Sequence, residues 1–133
     1  MTEISIALLT LPDGRIVFQR RGAGAPMSPN LLGFFGGHVD EGETFDEAMH
    51  RELKEETSLD VDELIINHMT DYELEVQPGK TVSFHLYAST IPNMDFEVFE
   101  GDRAEAYQRE GALVRDDLTP SAKHVLTNIL GES

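Results

Sequence analysis

The chain contains no cysteine. That excludes disulfides, a thiolate nucleophile and any metal site built on sulfur, and it fits a reducing compartment. Positive charge is scarce: ten Lys and Arg residues stand against 25 Asp and Glu, a formal net charge of −15. Such a chain is a poor partner for nucleic acid polymers or anionic membranes, so neither is expected. Long apolar runs are also missing; none approaches the roughly 18 residues that a membrane span needs. Met1-Thr-Glu-Ile-Ser5 carries no basic stretch of the kind that opens a secretion signal. A cytoplasmic protein without a targeting segment is the expectation. Several site signatures are absent as well. There is no G-x-x-x-x-G-K-[ST] phosphate loop, Gly22-Ala-Gly24 does not extend to a dinucleotide fingerprint, and no serine nucleophile motif occurs.

What is present suits one compact domain over residues 1–133. The length allows a single core, and a hydrophobic content of 40% is ordinary for a globular protein. No repeat, low-complexity tract or linker divides it. Residues 3–11 and 15–21 read as strands joined at Pro12-Asp13-Gly14. Residues 22–33 are rich in glycine and proline and read as a loop, long enough to suggest a functional one. Phe34-Phe35 forms a short strand leading into Gly36-Gly37. A helix is expected over 44–57, with Thr44 and Glu47 as a capping box. Residues 61–76 and 81–91 read as a hairpin turning at Gln77-Pro78-Gly79-Lys80. Residues 92–117 read as short strands and acidic loops. A last helix begins with Thr119 as cap and Pro120 in first position, and buries Ala122, Val125, Leu126, Ile129 and Leu130 before Gly131. The order strands, helix, strands, helix predicts an α/β (α+β) domain, a mixed sheet with helices on its faces.

The helix over 44–57 is unusual in its polarity. At about 100° per residue, Phe45, Met49, Glu52 and Glu56 share one narrow stripe. The inward face therefore begins apolar and ends in carboxylates, which a helix built only for stability would not do. Glu52 and Glu56 form a like-charge i,i+4 pair. Two carboxylates about 4 Å apart repel by roughly 4 kcal/mol at an effective dielectric near 20. A divalent cation removes that penalty, and an all-oxygen ligand set favours Mg2+ or Mn2+ over zinc. Alone, Arg51-Glu-Leu-Lys-Glu-Glu56 also fits an ordinary solvated face, with Arg51 and Glu55 as a surface pair. Gly36-Gly37 and Glu43 upstream shift the balance.

Read as G-x5-E-x7-R-E-U-x-E-E-x-G-U, with U aliphatic, residues 37–59 match at Gly37, Glu43, Arg51, Glu52, Leu53, Glu55, Glu56 and Leu59. This resembles the Nudix box, the signature of enzymes that hydrolyse nucleoside diphosphates linked to another group. Two positions depart from the family: Ser58 stands in place of its glycine, and Phe35 where many members have proline. A non-glycine residue at position 58 costs roughly 1 kcal/mol if the exit from the helix is left-handed; otherwise the exit differs here.

The resemblance implies an α/β/α sandwich over nearly the whole chain. It also implies a Mg2+-dependent pyrophosphohydrolase (Mn2+ as the alternative ion) that cleaves a nucleotide sugar, ADP-ribose or (d)NTP type of substrate, and a homodimer in common with many members. The rival expectation is a non-catalytic Nudix-fold module that senses a nucleotide or binds a protein. Glu52, Glu55 and Glu56 fall on the family's ligand positions, with the Gly37 carbonyl as a further ligand. Gly36 and Gly37 let backbone approach metal and phosphates. Arg51 orients a box glutamate, and Glu43 either reaches the metals through water or holds the loop. Glu100 is the candidate additional ligand or general base, in competition with Glu97 and Glu105; the alternative base is Glu52. Arg21 is the candidate phosphate contact, and Phe34 either stacks on a base or belongs to the core.

Overall fold

The computed structural model describes residues 1–132, and its sheet is organised by which edge of the first strand each neighbour takes. Strand β1 (Thr2–Thr10) runs parallel to β6 (Lys80–Thr90) along its whole length, so β6 occupies one edge. The other edge is shared. β4 (Phe35–His38) pairs with Ile4–Ala7, and β2 (Ile16–Arg20) pairs with Leu9 and Thr10. Beyond that point β2 leaves β1 and continues alongside β3 (Leu32–Gly33), while β7 (Arg103–Tyr107) lies on its far side. β5 (Asn67–Gln77) closes the outer edge as a hairpin with β6. The result is a seven-stranded mixed sheet that splits between β4 and β2. Phe34 sits at the split, where the chain crosses from β2 to β1.

Alternation along β1 builds a core on each face. Ile6 and Leu8 join Phe18, Phe84, Leu86, Val125 and Leu126 on the side of the C-terminal helix. Ala7 and Leu9 join Val17, Phe35, Met49 and Leu53 on the side of helix α1 (Phe45–Glu56). A period of two along a strand covered on both faces gives this layering of helix, sheet and helix. α1 starts at the expected capping box. The Thr44 Oγ1 accepts from Glu47 N at 3.0 Å, and the Glu47 carboxylate accepts from Thr44 N at 2.9 Å.

Four local readings change. Residues 61–66 do not open a strand; Val61–Glu63 form a 3-10 turn that buries Val61 against the α1 side of the core, while Ile65 stays 77% exposed. The chain needs this detour to travel from the end of α1 to the outer edge of the sheet. Helix α2 (Arg109–Leu113) went unread because five residues with only Ala112 buried carry no periodic signal. The last helix is not uniform. α3 (Pro120–His124) widens into a π turn over Val125–Ile129 and tightens to 3-10 over Leu130–Glu132. Within the π turn, the Leu126 carbonyl also accepts from Arg109 Nε at 3.3 Å. Finally, Leu32–Gly33, read as loop, pair with β2.

Candidate active site

The split in the sheet opens into a cleft of about 730 Å³. One part is walled by Ile4, Ile6, Phe34 and Phe84, and another by carboxylates from α1 and from the loop before β7. Between them runs β4, where Gly36 and Gly37 present bare backbone. A Cβ at Gly36, whose φ is +150°, would lie 2.1 Å from the Ser5 carbonyl oxygen. A Cβ at Gly37 would lie 2.5 Å from the Glu52 carboxyl group. Only glycine lets the strand pair with β1 and leave Glu52 room beside it.

α1 delivers Glu52 and Glu56 because its apolar residues fix its rotation. Ala48, Met49 and Leu53 are fully buried, and Glu56 follows them inward at 3% exposure. Its Oε1 accepts from Gly36 N at 2.8 Å. Burial above all pushes the Glu56 carboxyl up to about 9, against the lowering effect of that Gly36 bond, and the Glu100 and Glu52 charges add to the rise. Glu52 is also raised, chiefly by burial, while Arg51 draws it the other way. Glu100 arrives from the loop before β7. One carboxylate oxygen each from Glu52, Glu56 and Glu100 lie within 4.8 Å of one another.

The remaining box residues surround this cluster. Arg51 donates from Nε to Glu43 at 2.7 Å, from Nη1 to Glu52 at 2.8 Å and to Glu55 at 3.2 Å, and from Nη2 to the His38 carbonyl at 2.9 Å. Glu43 also accepts from Asp40 N at 2.9 Å, which ties the loop before α1 to the helix. The Arg51 guanidinium, with the Asp40 amide, holds Glu43 down to about 2. Glu43 faces Arg51 and is not among the residues lining the cleft. Glu55 lines the cleft, but its side chain is 54% exposed and lies outside the three-carboxylate cluster.

Among the other candidates, Phe34 is buried at 5% exposure and stacks on Phe18 at 5.5 Å, a core role with one edge on the cleft. Arg21 lines the cleft, and its Nε donates to the Met27 carbonyl at 2.9 Å, bracing the loop beside it. Arg20 turns away and is bound by Glu105 and Asp117, which removes Glu105 from competition for the site. Glu97 is engaged through its backbone with Ser58. Ser58 is not left-handed. Thr57 leaves the helix extended, at φ −139° and ψ 161°, so the glycine is dispensable. Gln19 was missed; it is buried and lines the cleft. Its signal was an uncharged polar residue directly after the apolar run Ile16–Phe18.

Residues 2–128 match the family model for the NUDIX domain. The chain belongs to the Nudix family. Over 67 residues it is 37% identical to an uncharacterised Nudix hydrolase from Nostoc, an alignment covering 47% of this chain and 40% of that protein. Its fold resembles a MutT protein from Methanosarcina mazei (TM-score 0.84, 18% identity, 98% and 94% of the two chains). It also resembles the E. coli dihydroneopterin triphosphate pyrophosphohydrolase (TM-score 0.79, 17% identity, 98% and 96%) and a C. elegans Ap4A hydrolase (TM-score 0.71, 21% identity, 97% and 96%). At these identities the structures speak for the fold alone. Nudix hydrolases use a divalent metal, and the carboxylates here fit one: three oxygen donors converge, one of them on the buried Glu56. No helix among the described residues is long and apolar enough to cross a membrane.

Proposed function

We propose that this Nudix protein is a pyrophosphohydrolase that requires Mg2+, with Mn2+ as a substitute, and cleaves the phosphoanhydride of a nucleoside diphosphate derivative. The convergence of Glu52, Glu56 and Glu100 at the cleft carries this reading. Phosphoanhydrides resist hydrolysis because their charged oxygens repel a nucleophile. A divalent ion held by Glu52, Glu56 and the Gly37 carbonyl, with Glu55 at its outer side, would neutralise phosphate charge and make bound water more acidic. Gly36 N–H orients Glu56 by its hydrogen bond. Arg51 holds Glu52 in place and offsets the charge of Glu43 and Glu55. Glu100, exposed at the edge of the cluster, accepts the proton of the attacking water. Arg21, the one Arg or Lys among the described residues lining the cleft, meets a phosphate. The apolar wall around Ile4, Ile6 and Phe84 receives the nucleoside end.

The test is hydrolysis of nucleotide sugars, ADP-ribose, dinucleoside polyphosphates and (d)NTPs with Mg2+, Mn2+ or EDTA, products identified by mass. Metal-dependent cleavage of one class, reduced at least a hundredfold by Glu56→Gln in a protein that stays folded, is expected. A folded, metal-binding protein that cleaves nothing in the panel would move the reading to the nucleotide-sensing or protein-binding module.

A further inference from the structure

Glu100 comes from a segment without regular structure, so something else must fix its carboxylate beside those of a rigid helix. Hydrogen bonds flank it on both sides. On the helix side, Thr57 and Val98 face each other in an isolated antiparallel bridge. Phe99 N donates to the Glu56 carbonyl at 2.7 Å, and Ser58 N to the Glu97 carbonyl at 3.0 Å. The Ser58 hydroxyl oxygen accepts from Glu97 N at 2.7 Å. On the sheet side, Gln19 Nε2 donates to the carbonyl of Glu100 itself at 2.7 Å, and Asp102 N donates to the Arg20 carbonyl at 2.9 Å. Gly101 turns between these anchors at φ +95°; a Cβ there would lie 2.8 Å from the Arg20 oxygen and 3.1 Å from Gln19 Cγ.

Gln19 is the unusual member. It sits on β2 with Val17, two residues away on the same face, and Val17 belongs to the core under α1. At 4% exposure an amide in that position needs a partner, and it directs its donor to one residue of the cleft. We infer that Gln19 is a positioning residue for Glu100, and that Ser58 anchors the opposite flank, so that the two together hold the Glu100 carboxylate against Glu52 and Glu56. The inference rests on the reading of Glu100 as the proton acceptor. Ser58, the departure from the family box, here supplies a hydroxyl that glycine lacks.

Gln19 also lines the cleft, so direct contact with substrate is the rival role, and kinetics separate the two. Gln19→Met keeps the volume and removes the donor; Gln19→Leu, shorter and also without it, serves if the methionine variant does not fold. With dGTP and ADP-ribose as substrates and Mg2+ present, either variant should lower kcat about tenfold with KM unchanged. Ser58→Ala should lower kcat about threefold, and Ser58→Thr, which keeps the hydroxyl, should restore it. In a Glu100→Gln background these losses should vanish, since the group being positioned is gone. A raised KM with kcat preserved, or losses that persist in full beside Glu100→Gln, would overturn the positioning role. Glu100→Gln with unchanged turnover would instead overturn the reading of Glu100 on which it rests.

Discussion

Gly37 is where one missing methyl group decides the site. The Glu52 carboxyl occupies the space a Cβ would take, at 2.5 Å, and the obstacle is the end of a flexible side chain. At Gly36 the obstacle is the Ser5 backbone oxygen at 2.1 Å, which cannot swing aside. The neighbouring substitutions should therefore fail differently. Gly37→Ala should displace Glu52 and lower kcat at least tenfold with little change in Tm. Gly36→Ala should break the β1–β4 pairing and cost about 3 kcal/mol or more of stability. Parallel measurement of kcat and thermal unfolding checks the pair; a Gly37→Ala enzyme of normal activity would show that Glu52 has no fixed place beside the strand.

At the scale of the element, α1 is a rigid bracket whose first turns bury apolar side chains and whose last turns carry the carboxylates of Glu52 and Glu56. Three fully buried side chains, Ala48, Met49 and Leu53, set its rotation, and Glu52 and Glu56 follow from the helical period. Its start is fixed by reciprocal bonds between Thr44 and Glu47 in exposed surroundings. Thr44→Ala should cost about 1 kcal/mol in denaturant unfolding. It should leave kcat within twofold, because core packing rather than the cap determines which way the carboxylates face. A large loss of kcat at full stability would mean that the cap itself aligns the ligands. The end of α1 is bound more closely to function. Thr57 exits extended, and the next residues pair with the Glu97–Phe99 segment, so the helix that carries two carboxylates also grips the loop that carries the third.

Across the whole molecule, the network of Arg20, Glu105 and Asp117 ties β2 to β7 and to the segment before α3. Arg20 and Glu105 are each 13% exposed, and Arg20 binds Glu105 through two nitrogens, at 2.7 and 2.9 Å. Arg20 above all holds Glu105 down to about 2 from its ordinary 4.5, and Arg115 with Arg20 holds Asp117 well below the usual carboxylate range. The unfolded chain binds these protons at a higher pH than the folded one does. Stability from Glu105 is therefore complete above about pH 4.5 and is lost as pH falls towards 2. Glu105→Gln should cost about 2 kcal/mol at pH 7 and flatten the decline between those limits in urea unfolding followed against pH. An unchanged acid limb would place the acid sensitivity elsewhere.

The sequence by itself determined what is local or periodic. The Gly-Gly pair, Glu43, and the Arg51 to Glu56 run specify α1 and its carboxylate-bearing face, because helical spacing converts sequence offsets directly into direction. Two-residue alternation likewise specified most strands, and Thr119-Pro120 the start of α3. Tertiary structure alone decided what depends on contacts between distant segments. It chose Glu100 over Glu97 and Glu105 for the cluster, by a turn at Gly101 packed against Gln19 about eighty residues away in sequence. It left Glu55, 54% exposed, outside that cluster, because the loop bearing Glu100 meets the helix on the side of Glu52 and Glu56. It also turned Ser58 from an apparent defect into a hydrogen-bonding partner, because the exit from α1 is set by the loop that docks on it. Short-range patterns carry direction, but which of many similar acids meet in space is fixed only when the split sheet closes around them.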